Sequence, residues 1–145
     1  RILTVDSVEI REALQEPTTM VLEEIKKTDE AWATAEEELP IHTELLGNAC
    51  AKEIRAIAAK SPAIAETFVM DNQGANVCMS GTTGDFMQGD EAKWQKSFAD
   101  GNGAIFVDEP EEEDGKMVQQ ISVPVMVKDK AIGAITFGVY PDKMK

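Results

Sequence analysis

The sequence predicts an α+β domain in which helices cover one face of an antiparallel sheet. Three observations carry that expectation. The apolar spacing changes near Ala63 from a helical period to alternation. Nine of the ten glycines lie after residue 73, whereas all three arginines precede residue 60, so turns crowd the second part and any cation working there is a lysine. The element order reads as helices, two strands, a loop and helix, then three strands with short links. The 145 residues suit one domain, with a helical part over 1–62, a sheet over 63–140 and a tail over 141–145.

In the helical part, Asp6 or Ser7 can cap a first segment, and Glu9 stands three residues after Asp6. Val8, the Ile10–Ala13 pair and Leu14 form its apolar stripe, which Pro17 ends by removing a helix donor. Pro17 and Thr18 open the next segment, where Met20, Val21, Ile25 and Trp32 continue an apolar face. Glu36-Glu37-Glu38 reads as a solvated stretch and Pro40 as a second break. Leu45, Ala49, Cys50, Ile54, Ile57 and Ala58 then predict one helix over Ile41–Lys60, stopped by Ser61-Pro62. These helices serve as a long stalk, as signal-carrying helices packed on a sheet, or only as the cover of that sheet.

In the sheet part, Phe68-Val69-Met70 and the alternating Ala75–Met79 run predict a hairpin around Asp71-Asn72-Gln73-Gly74, with Asp first and Gly fourth in the turn. Ser80–Gly89 is an irregular glycine-rich loop. A short helix over Glu91–Asp100, capped by Asp90 or Gly89, places Trp94 and Phe98 one turn apart. Ala104–Val107 is a third strand, and Asp108–Asp114 with Gly115 a polar connection. Met117–Val127 alternates Ile121, Val123, Val125 and Val127, with Pro124 implying an edge or a bulge. After the Asp129-Lys130 turn, Ala131–Tyr140 is the last strand.

Charge removes several functions. The net charge is −13, spread as seven basic against thirteen acidic residues over 1–60 and seven against fourteen over 61–145. Such a field repels phosphate backbones and anionic lipids, so no nucleic-acid or membrane-surface role is expected. No apolar run approaches the ~18 residues of a membrane span. Gly-x-Ser-x-Gly, a Walker loop and His-Glu-x-x-His are absent, and Gly81-Thr82-Thr83-Gly84-Asp85 lacks the lysine of a phosphate loop. No catalysis and no cofactor are expected. Two cysteines and one distant His42 make no zinc set, and Asp108–Asp114 lacks the ligand spacing of a calcium loop. His42 reads as a surface residue. Cys50 and Cys78 can pair in an oxidising compartment, but two buried thiols are the favoured reading.

The run Phe68–Gly74, the stretch Phe86–Gly101 (FMQGDEAKWQKSFADG) and the closing Ile121–Val125 and Ala131–Ile135 pieces, in that order, resemble the Cache (PDC) family of extracytoplasmic PAS-like sensors. The resemblance implies a five-stranded antiparallel sheet in the order 2-1-5-4-3 with long N-terminal helices, of the single-Cache subtype. It also implies periplasmic placement and the binding of one small molecule for signal transduction or chemotaxis. Such domains precede a chemoreceptor, kinase or cyclase module or are exported alone, and the opening on Arg1 fits a leader or anchor cut away. Two copies are expected to pair through helices in Val5–Glu38. The rival expectation is an exported module that docks a partner protein, using the same sheet without a small ligand.

Departures from the family pattern narrow the ligand. Where double-Cache amino-acid sensors carry Arg two residues before the Trp and Tyr after it, this chain has Ala92 and Gln95. Their amine-binding Asp of the last strand falls near Gly138, and their third-strand Tyr and Asp fall at Phe106 and Asp108. A free amino acid is therefore not expected, and a two-to-four-carbon carboxylate or a neutral relative is. Lys93, beside Trp94, is the candidate cation, with Lys96 one turn on. Ser80, Thr82 and Thr83 supply hydroxyls, and Trp94, Phe86 and Phe106 walls; Asp108 and Ser122, which shares a face with Gln120, complete the candidate site. The bland alternative makes Trp94 and Phe98 the core face of their helix and leaves both lysines in solvent.

Overall fold

The structure, a computed structural model, describes residues 8–15, 22–83 and 86–143. The expected caps at Asp6 and Ser7, the break at Pro17 with Thr18, the apolar positions Met20 and Val21, and Gly84-Asp85 lie outside the described residues. Helices α1 (Val8–Gln15) and α2 (Leu22–Thr34) are followed by α3 (Pro40–Gly47) and α4 (Ala49–Ala58). Strands β1 (Ile64–Met70) and β2 (Asn76–Met79) precede α5 (Ala92–Phe98). Strands β3 (Phe106–Val107), β4 (Glu111–Glu113), β5 (Lys116–Val127) and β6 (Lys130–Val139) complete the chain.

Among the described residues the strands form an antiparallel sheet in the order β2-β1-β6-β5-β3, with β4 pairing β5 beside that path. Without β4 this is the expected order 2-1-5-4-3. The added strand corrects the reading of Asp108–Asp114 as a plain connection. Glu111–Glu113 folds back on Lys116–Val118 around Asp114 and Gly115, both at positive φ. Pro124 sits beyond the two residues that β3 pairs, where β5 has a free edge, and a register shift follows at Val125/Met126.

Alternation sorts the side chains onto two faces. Val69, Val123, Val125, Ile135, Phe137 and Val139 point to one face, where Ile10 of α1 and Cys50, Ala51 and Ile54 of α4 cover them. Phe68, Met70, Met79 and Ala134 point to the other and meet Ile25 and Trp32 of α2, Leu45 of α3, and Phe86. The apolar sides of α1 and α2 are thus turned inward, onto opposite faces of the sheet.

The expected helix over Ile41–Lys60 is broken at Asn48, and the reason is a better use of that side chain. Its Oδ1 accepts from the Ala51 amide (2.8 Å), capping α4, while Nδ2 donates to the carbonyl of Val77 (2.9 Å) at the bulge in β2. His42, expected on the surface, is buried: Nδ1 accepts from the Leu39 amide (2.9 Å) at the start of α3, and the ring stands edge-on to Trp32 at 4.1 Å. Helix α5 is shorter than Glu91–Asp100 because Ala99 and Asp100 take left-handed backbone angles and end it.

Cys50 and Cys78, favoured above as two thiols, form a disulfide between α4 and β2 with a Cα–Cα distance of 5.8 Å. The packing of α4 on β1 and β2 brings them within reach, which no spacing in the sequence reveals. Closing a loop of 28 residues restrains the unfolded chain by about 3–4 kcal/mol. Replacing both cysteines by alanine, or reducing the bond, is therefore expected to lower Tm by roughly 10 °C, measured by calorimetry.

Candidate functional site

The site face is built by antiparallel pairing. Phe68 pairs Thr136, Thr136 pairs Ser122 and Ser122 pairs Phe106, so four strands contribute one row across the sheet. Two residues along, Glu66, Gly138 and Gln120 form a second row, which Asp108 extends by donating its amide to the Gln120 carbonyl (2.9 Å). The first row has aromatic ends and a hydroxyl middle, and the second carries the polar side chains of Glu66, Gln120 and Asp108 around Gly138.

Helix α5 lies over the first row and aims a lysine at each end. Lys93 Nζ stands 5.4 Å from the Phe68 ring centre and Lys96 Nζ 5.2 Å from that of Phe106. The Lys93 side chain is 14 % exposed and its Nζ lies 3.4 Å from Glu91 Oε1. An ammonium has three donors, so this pair leaves capacity for a second anion. Beneath the helix, Ser122 Oγ and Thr136 Oγ1 are 2.8 Å apart and fully buried. Among the described residues, no group of three or more His, Cys, Asp or Glu side chains converges as a metal site would require.

Of the residues expected from sequence, Lys93, Phe106, Asp108 and Ser122 come together on this face. Trp94 and Phe86 have other neighbours. The Trp94 indole donates to the Asp71 carbonyl (2.9 Å), its ring stacks on Phe98 at 5.1 Å, and it packs against the core cluster that holds Phe68, Met70 and Ala134. It closes the hairpin turn: Asp71 Oδ1 accepts from the Gln73 and Ala75 amides, and Gly74 has φ +89°. A Cβ on Gly74 would collide with the backbone of Gly89. Ser80 Oγ accepts from the Thr67 amide (2.9 Å), tying off the hairpin, and Thr82 is exposed.

Phe86 is buried against Trp32 at 5.6 Å, and its segment is held from α2. Asp29 Oδ1 accepts from the amides of Phe86 (3.2 Å) and Met87 (3.0 Å). One turn on, Trp32 Nε1 donates to the Thr83 carbonyl (2.8 Å). Sequence reading missed this clasp, and it missed Glu66, Phe68 and Thr136 as site residues. The signal for these three lies in strand pairing: each takes its place only once the register of β1, β6 and β5 is known.

No protein-family model and no curated protein matches the sequence. Among solved structures the chain is similar in fold to sensory and ligand-binding domains of a histidine kinase and of chemoreceptors. One is the extracellular domain of rpHK1S-Z16, assigned as a histidine kinase, with TM-score 0.51 and 13 % identity over 81 % of this chain and 47 % of that one. Another is the ligand-binding domain of the amino acid chemoreceptor PctC of Pseudomonas aeruginosa in complex with GABA, with TM-score 0.50 and 12 % identity over 79 % and 49 %. The sensory domain of the Campylobacter jejuni chemoreceptor Tlp3 with isoleucine bound has TM-score 0.48 and 14 % identity over 92 % and 57 %. The chain spans about half the length of the first two domains. Among the described residues no helix is long and apolar enough to cross a membrane.

The Asp29 clasp yields a direct test. Asp29→Ala leaves two amides without their acceptor and is expected to cost about 1.5–3 kcal/mol. Hydrogen exchange should rise at Phe86 and Met87 while the amides of β6 keep their protection.

Proposed function

We propose that residues 1–145 form one extracytoplasmic sensor domain that binds a two-to-four-carbon carboxylate and passes its presence to a signalling or chemotaxis partner. The observation that carries this reading is the poise of Lys93: its side chain is mostly buried and its ammonium is held over the Phe68 ring by α5, at one end of the row that carries Thr136 and Ser122. A small carboxylate placed there takes a charge-assisted bond from Nζ and neutral support from below. The likeness in fold to sensor domains, one of them extracellular and one bound to GABA, supports the placement and the small size of the ligand. The reading assigns binding and no catalysis.

A ligand present at one hundred times its dissociation constant stabilises the folded state by about 2.7 kcal/mol, roughly 5–10 °C in Tm. Acetate, propionate, butyrate, lactate and pyruvate are the probes for a thermal-shift screen. At least one is expected to raise Tm by that amount, and Lys93→Ala to abolish the rise without lowering the unliganded Tm by more than a few degrees. Absence of any shift, or a shift untouched by Lys93→Ala, overturns the reading.

One observation favours a second reading, in which the sheet docks a protein instead. Ile105, Val107 and Met117 are exposed apolar side chains near the β3 margin. Pairing of two copies through the outward sides of α1 and α2 belongs to the same question of assembly. Sedimentation at high concentration separates these: a monomer throughout excludes stable self-pairing, and a dimer dispersed by Val107→Lys places the contact on the β3 margin.

A further inference from the structure

A cavity of about 680 Å³ opens at the end of the sheet where β1 turns into β2 and β5 into β6. That volume lies within the ~300–1,000 Å³ of small-molecule sites. Its apolar floor is Leu14 of α1, Phe98 of α5, and Ala131 and Ile132 of β6. Two of these side chains are held from outside the cavity. Phe98 stacks on Trp94 at 5.1 Å, and Leu14 is seated in the notch left by Gly133, where a Cβ would lie 2.8 Å from its Cδ2. None of Phe68, Lys93, Phe106, Ser122 and Thr136 lines this cavity, so it is separate from the face beneath α5 described above.

Polar groups reach the cavity from three connections. Asn72 comes from the β1–β2 turn, Asp129 and Lys130 from the β5–β6 turn, and Asp100 and Asn102 from the loop after α5. That loop is built at a cost. Ala99 and Asp100 hold φ of 49° and 54°, angles that favour glycine, ahead of Gly101 at 88°. The amides of Asn102, Gly103 and Ala104 donate to the carbonyls of Ala99, Phe98 and Ser97 at 3.0, 3.0 and 2.9 Å, which fixes the bend and sets Asp100 and Asn102 on the cavity wall. The wall therefore carries two carboxylates that only accept, one ammonium that only donates and two carboxamides that do both.

We propose that this cavity is a second small-molecule site, and that its ligand is neutral and polyhydroxylated: a mono- or disaccharide or a sugar alcohol. Hydroxyl groups both donate and accept, so they match a wall of mixed donors and acceptors, and the C–H face of a sugar matches the floor of Phe98, Leu14 and Ile132. An anion is repelled by Asp100, Asp129 and the net charge of −13. A small cation leaves both carboxamides and the apolar floor unused and meets Lys130. The two sites share no lining residue, so this proposal stands apart from the carboxylate reading of Lys93. Helix α5 serves both, carrying Lys93 over one and Phe98 into the other.

Backbone-amide NMR of the whole chain tests this, with ribose, glucose, maltose, trehalose and mannitol titrated into the millimolar range and putrescine as the cationic comparison. At least one of the five is expected to shift the amides of Asn72, Asp100, Asn102 and Ile132 along a saturating curve, while those of Phe106 and Ser122 stay in place. Asp100→Asn keeps a residue that tolerates the left-handed backbone but removes a charged acceptor, and is expected to weaken binding about fivefold. Asn102→Trp places a bulky ring at an exposed position with right-handed helical angles and is expected to abolish the shifts. Unchanged amide positions in β1, β5 and β6 establish that both variants are folded. Shifts that persist in folded Asn102→Trp, or no shift at these amides with any probe, overturn the site. Saturation by putrescine and by none of the five overturns the ligand class. Each of these failures leaves the carboxylate reading untouched, because that reading is tested at Lys93.

Discussion

Strand β6 is hydrogen-bonded on both sides and covered on both faces, and the other elements take their positions from it. Its odd-numbered residues Ile135, Phe137 and Val139 belong to the core beneath α1 and α4. Its even-numbered residues Thr136 and Gly138 belong to the polar floor beneath α5. A slip of one residue would exchange the two sets, burying a hydroxyl among aliphatic side chains and placing Phe137 in the site. The same register that keeps the core dry therefore sets Thr136 against Ser122 and Gly138 against Glu66. Core and site are two sides of one alignment.

How much of this is legible in the sequence depends on the range of the interaction. The Ile121–Val127 alternation, the Asp71–Gly74 turn and the change of period near Ala63 are local, and the structure keeps them. What was not legible depends on partners far along the chain. Asn48 breaks a helix because the carbonyl of Val77 is there to receive it. His42 is buried because Trp32 offers it a ring, and Cys50 meets Cys78 because α4 lies on β2. Trp94 and Phe86 were legible as large aromatic residues near the site. Their work in closing a turn and filling a core was not, since both depend on Asp71 and Trp32. Glu66 is the clearest instance. Its place on the second row rests on the missing side chain of Gly138, 72 residues away in the chain and adjacent in the sheet.

The two margins of the sheet are closed by different means. At β2 the disulfide and the contact of α3 and α4 leave little backbone to offer a neighbour. At the other margin, β3 is two residues long and β4 is three glutamates, Glu111-Glu112-Glu113, all exposed. Short strands and like charges on an edge discourage pairing with another sheet. The acidity that fits poorly with polyanionic partners thus also has a local use, keeping the open side of an antiparallel sheet from templating its own aggregation.

Helix α2 makes its hydrogen bonds with the segment before α5 to main-chain groups: Asp29 takes two amides and Trp32 gives to one carbonyl. Contacts of that kind are blind to side-chain identity. Phe86 and Met87 also pack on the core, and Thr83 Oγ1 accepts from Asn76 Nδ2 (2.7 Å), so only side chains that do neither are free to change. The shape of the segment is inherited from the helix, while the chemistry of those side chains stays free to drift. A lineage of such domains could retune what its loop presents to a ligand while leaving the scaffold, and the route from loop to helix, unchanged.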